Sequence, residues 1–73
     1  MKTHIVMNHR GDSRHEFDPS CAVALAEARR RFEKLTGEGF RAVALGRDGQ
    51  NRLVREFDPD VEQTLFIPQL VGG

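Results

Sequence analysis

Only one stretch of this chain has the length and the period of a helix, and that limits the folds open to it. Cys21, Leu25, Ala28, Phe32 and Leu35 recur at spacings of four, three, four and three, which places them on one helical face. Glu27, Arg30, Arg31 and Lys34 fall largely on the opposite, wet side. Asp18-Pro19 precedes the run. Asp18 is expected to cap the free N–H groups, and Pro19 suits the first helical position, which needs no N–H. Gly37 reads as the C-cap, giving a helix over roughly 19–36.

The remainder reads as short strands. Residues 3–7 alternate so that Thr3, Ile5 and Met7 share one face and His4 and Val6 the other. Asn8 to Ser13 is a turn cluster around Gly11, and residues 14–17 form a second strand, paired as a hairpin with Phe17 as its core residue. Residues 40–45 are the third strand. Asp48-Gly49 marks a tight turn before a fourth at 52–57. The tetrapeptide Glu16-Phe17-Asp18-Pro19 is then repeated as Glu56-Phe57-Asp58-Pro59, which predicts a second, single helical turn over 59–63. A fifth strand covers 64–67, and Pro68, lacking an N–H, is expected to end sheet pairing and release the tail. One helix covering one face of a sheet is the natural two-layer solution for this order of elements.

Composition narrows the function. The 73 residues suffice for one small domain and leave no room for a deep enzyme cleft. Basic and acidic residues balance at 11 each, which argues against nucleic acid or an acidic membrane as the main partner. A lone cysteine, Cys21, excludes an internal disulfide and fits a reducing cytosol. No run is long enough to span a bilayer, and Met1 to His4 lack the apolar stretch of a secretion signal. The expectation is a cytoplasmic single domain that is not itself an enzyme, since no acid–base or nucleophile–base pair stands out.

The element order and length resemble the ubiquitin-like proteins of the β-grasp fold. Asp18-Pro19-Ser20 resembles the Glu-Pro-Ser that enters the ubiquitin helix. Thr64-Leu65-Phe66-Ile67, with a tail ending Gly72-Gly73, is similar to ubiquitin's last strand and tail. The sulfur carriers of thiamin and molybdopterin synthesis also end in Gly-Gly, often with a proline and a valine shortly before it, as Pro68 and Val71 are here. The chain departs from ubiquitin in having Val71 where an Arg precedes the glycines, and in having only Lys2 and Lys34 as lysines. Its composition fits bacterial ubiquitin-like proteins encoded beside E1-like enzymes. The resemblance implies an α+β β-grasp fold, ββαβββ, with a mixed sheet of four to five strands on one α-helix. A domain over residues 1–68 would carry a flexible tail over 69–73.

That resemblance also implies a function. An E1-like enzyme would adenylate the Gly73 carboxylate with ATP, which the partner uses; the chain itself holds no cofactor. E2-like or isopeptidase proteins and a conjugation target would follow. Gly72 and Gly73, without Cβ atoms, can thread a narrow site, while Leu70 and Val71 hold the tail in the enzyme's groove. The alternatives are a sulfur carrier, ending as a thiocarboxylate, and a non-covalent adaptor acting through its sheet face. By analogy with ubiquitin, Leu65 and Ile67 face the helix and Phe66 faces solvent as a partner site, joined by Ala42 and Ala44 or by Val43.

The other conspicuous residues have plain readings. Cys21 is expected as a small filler on the core face. His4, His9 and His15 read as scattered surface histidines, not a metal site. Arg10-Gly11-Asp12 is a turn, and Arg29-Arg30-Arg31 a solvated helix face.

Overall fold

The computed structural model describes residues 1–46 and 48–69. Five strands and one helix follow one another: β1 (Lys2–Asn8), β2 (Gly11–Phe17), α1 (Ala22–Gly37), β3 (Phe40–Leu45), β4 (Asn51–Val54) and β5 (Gln63–Pro68). The strands form one sheet in the order β2-β1-β5-β3-β4. β1 and β5 run parallel at its centre, and every other neighbouring pair is antiparallel. The helix covers one face of this mixed sheet, so the architecture is two-layer α+β.

Burial picks out the inner face. Val6 of β1, Ala42 of β3 and Phe66 of β5 meet Phe32 of α1, with Leu35, Phe40, Val54 and Phe57 packed around them. Phe66 is fully buried, and its ring lies 5.7 Å from that of Phe32. The face expected for β5 is therefore reversed: Phe66 turns inward, while Leu65 and Ile67 turn outward. Strand alternation allows either face, and the helix side takes the largest ring. Ala42 and Ala44 are buried on the same inner face, and Val43 points out.

The repeated tetrapeptide makes the same corner twice, and neither copy caps a helix. Asp18 Oδ1 accepts the Ser20 N–H at 2.9 Å and the Ser20 hydroxyl at 2.7 Å, while the Cys21 N–H donates to the Asp18 carbonyl at 3.0 Å. Asp58 repeats this, accepting from the Asp60 N–H at 2.9 Å, with the Val61 N–H on its carbonyl at 3.3 Å. The fixed φ of proline suits the second position of a β-turn as well as a helix start, and here the turn wins. Ser20's hydroxyl, then its backbone N–H, hold the Asp18 carboxyl below its ordinary value. The helix starts later than expected, with Cys21 at the N-cap and exposed, so Cys21 is not a core filler. After the second corner no helical turn forms, and the chain passes to β5. At the helix end Gly37 is still helical, and it is Gly39, at φ +101°, that reverses the chain.

Two further strand ends differ from expectation. β4 stops at Val54 instead of running to Phe57. Val54 faces inward, so continued alternation would bury Glu56 and expose Phe57. Breaking the strand at Arg55-Glu56 lets Phe57 enter the core instead, 5.9 Å from the Phe32 ring, with the Arg29 guanidinium 5.7 Å over it. β5 keeps pairing past its proline: Pro68 stands opposite Phe40, and the Gln69 N–H donates to the Gly39 carbonyl at 3.2 Å. Amides of alternate residues point to opposite neighbours, so the missing N–H of Pro68 points to the β1 side. There the ladder has already ended, at Val6–Phe66.

Truncating Phe66 to Ala should therefore lower the unfolding free energy by about 3–5 kcal/mol. Leu53→Ala on the exposed face should change it by less than about 0.5 kcal/mol. Urea melts of the two variants check the assignment of faces.

Candidate functional site

The helix leaves the second face of the sheet uncovered. Its centre is an apolar row running directly across the strands: Ile5 of β1, Leu65 of β5, Val43 of β3 and Leu53 of β4, with Arg14 of β2 at the end. Met7 and Ile67 lie on the same face two residues further along their strands, and both are partly exposed, at 38% and 39%. Leu53 is the most open of the row at 63%. Contiguous apolar surface of this kind marks interaction sites more often than scattered single residues do. Phe66 is not part of it. Its burial removes it as a partner contact, and the surface it was expected to lead is carried by its neighbours Leu65 and Ile67 together with Ile5, Val43 and Leu53.

This face borders the place where the C-terminal residues begin. β5 is the middle strand, and Gln69 is still tied to Gly39. Beside that end, Thr36, Phe40, Ala42, Leu53 and Val54 line a shallow groove of about 390 Å³. Leu70, Val71, Gly72 and Gly73, the residues to which the sequence assigns the chemistry, lie outside the described residues.

The histidines divide. His4 is 2% exposed, so it is a core residue and not a surface one. Its ring makes edge-on contacts with Phe17 at 4.9 Å, Phe66 at 5.0 Å and Phe57 at 6.1 Å. The Arg31 guanidinium stands 3.4 Å from its Nδ1. A guanidinium can only donate, so Nδ1 accepts and the ring is neutral, with its proton on Nε2. Burial first, then the charges of Arg31 and His15, lower the His4 pKa from 6.5 to about 4. His15, across the ladder from His4, is also lowered, by burial and then by Arg31. A histidine held neutral in an aromatic cluster is a packing residue, and its ring contacts among the described residues are with Arg31 and with the rings of Phe17, Phe57 and Phe66. Among the described residues no three His, Cys, Asp or Glu side chains are placed to hold a metal ion, and no helix is long and apolar enough to cross a membrane.

Sequence reasoning missed His4 because both faces of this short strand carry apolar residues, Val6 on one and Ile5 and Met7 on the other, so the strand alone does not say which face is core. The available signal was its alternation with Val6. Of the outer row, sequence reasoning offers Val43 as the alternative to Ala42 and Ala44, while it assigns Leu65 and Ile67 to the helix side.

No protein-family model matches the chain, and no curated protein or solved structure matches it either.

His4 makes the fold acid-sensitive. Its pKa is depressed on folding, so below pH 6.5 the unfolded chain binds a proton that the native state refuses until about pH 4. The stabilisation is complete above pH 6.5, is lost progressively as the pH falls from there to about 4, and levels off below, a total on the order of 3 kcal/mol. His4→Leu should flatten the stability profile between about pH 7 and 5, measured by urea melts across that range.

Proposed function

We propose that the chain is a β-grasp, ubiquitin-like modifier, activated at the Gly73 carboxylate by an E1-like enzyme and transferred to a target protein. The observation that carries the reading is the position of β5. It is the central strand, parallel to β1 and antiparallel to β3, its outward residues Leu65 and Ile67 belong to the apolar outer face, and Leu70-Val71-Gly72-Gly73 come soon after it in the sequence. The strand order and the single covering helix are compatible with a β-grasp.

The chemistry belongs to the partner. A carboxylate carries no good leaving group, so it must first be energised. The Gly73 carboxylate attacks the α-phosphorus of ATP and pyrophosphate departs, leaving an acyl adenylate. A partner thiolate then displaces AMP to give a thioester, and a target amine displaces the thiol to give an amide. This chain supplies the electrophile, a backbone narrow enough at Gly72 and Gly73 to enter the site, and a docking surface in Ile5, Val43, Leu53, Leu65 and Ile67. Leu70 and Val71 occupy the partner's groove. An E2-like protein or an isopeptidase would act downstream, in the cytoplasm, where the activating enzyme would draw on ATP.

With an E1-like enzyme and labelled pyrophosphate, the chain should support ATP–pyrophosphate exchange. Removing Gly72 and Gly73 should abolish exchange without altering the urea melt; unchanged exchange would overturn the reading. Recovery from cells with one carboxylate oxygen replaced by sulfur, seen by intact mass, would replace the modifier by a sulfur carrier.

A further inference from the structure

The sheet has two edges, and they are not alike. β4 is four residues long, and shortness is a common way to blunt an edge. β2 is seven residues long, contains neither Pro nor Lys, and among the described residues pairs with β1 alone. Which of its backbone groups are free follows from the ladder. The Thr3 N–H donates to the Glu62 carbonyl at the start of β5, so Thr3, Ile5 and Met7 direct their amides toward β5 and away from β2. Their partners across the hairpin, Glu16, Arg14 and Asp12, are consequently the non-hydrogen-bonded positions. The N–H and C=O groups of Asp12, Arg14 and Glu16 therefore point out of the open edge.

The side chains of these three residues share the outer face and alternate in sign: negative, positive, negative. Arg10 adds a positive charge in the adjoining turn, and all four residues are exposed. The order plus, minus, plus, minus over residues 10–16 is self-complementary when the strand is laid antiparallel on a copy of itself about Ser13. Asp12 then faces Arg14 of the second copy twice, and Arg10 faces Glu16 twice. Shifting the register by one residue to either side breaks the match of outward-pointing amides. Shifting it by two, to centre on Arg14 or on Asp12, sets like charges opposite one another. The same register places small Ser13 against Ser13 and His15 against Gly11, which has no side chain to obstruct it.

We propose that the open edge of β2 is a self-association site, where a second copy of this chain adds antiparallel about Ser13. The two sheets become one ten-stranded sheet, a closed two-fold arrangement that satisfies the β2 edge of each copy and cannot propagate through β2. Both helices lie on one side and both apolar rows on the other. Edge pairing buries little area, so the dimer is weak, and its charge pairs make it salt-sensitive. The inference does not depend on any chemistry at Gly73.

Sedimentation equilibrium of the full chain, up to about 1 mM protein and at low and high salt, reads the proposal directly. A monomer–dimer equilibrium that weakens with salt is expected. Arg14→Asp should lower association at least tenfold, and Asp12→Arg combined with Arg14→Asp should restore it. A melt matched to the parent shows that each variant is folded. In a Cys21→Ser background, Ser13→Cys should cross-link on oxidation, whereas Asp12→Cys, which faces Arg14 of the second copy, should not. A monomer at every concentration in low salt overturns the proposal. So does a dimer that ignores the charge swap, or equal cross-linking at positions 12 and 13.

Discussion

The burial of Phe66 beneath the helix is the constraint from which the rest follows. It sits on the central strand, so fixing its face fixes the faces of β1 and β3 through the ladders on either side. Val6 and Ala42, its direct neighbours, must then point inward, and Ile5, Leu65 and Val43 must point outward. Phe32 comes down from α1 onto Phe66, while His4, Phe17 and Phe57 close the aromatic cluster at its side. A domain this small has one such cluster to rely on. Two of its five rings come from outside regular strand or helix interiors: Phe17 ends β2, and Phe57 follows a bend.

Much of this was legible in the chain, for identifiable reasons. The helix declared itself because four of its five periodic positions are buried or half-buried, Ala28 and Phe32 fully. β3 was bounded by glycine and ended where expected. Phe17 was recognisable as core because polar residues precede it on its strand. What escaped was information that lives between elements. Asp-Pro is ambiguous between a cap and a turn, and only the hydrogen-bonded surroundings of Asp18 and Asp58 decide. The face of a four-residue apolar strand such as Thr64-Leu65-Phe66-Ile67 has no local determinant, because both faces carry apolar side chains. The end of β4 depended on which of Glu56 and Phe57 the core could accept.

The same geometry separates two duties that the sequence alone had merged. Phe66 holds the fold, and the residues that flank it meet solvent. A strand that alternates in this way ties the stability of the core to the presentation of the outer row, since a slip of one residue would invert both at once. The apolar row spans four strands but ends at β2, where Arg14 begins a charged margin. Each surface of the sheet thus has a distinct character: an aromatic interior, an aliphatic exterior and a zwitterionic rim.

The early end of β4 has a consequence of its own. The strand is held on one side by β3 alone, and beyond Val54 the polypeptide is secured not by ladder bonds but by the Phe57 ring. The segment from Asn51 to Phe57 is thus a clip fastened at two points, the β3 ladder and the Phe57 ring. Such a clip can grow or shrink at its loop without moving either fastening, because neither depends on its length. Of all the chain between the helix and the central strand, this is where evolution or a protein engineer could splice in new residues and leave the folding core unaware of them.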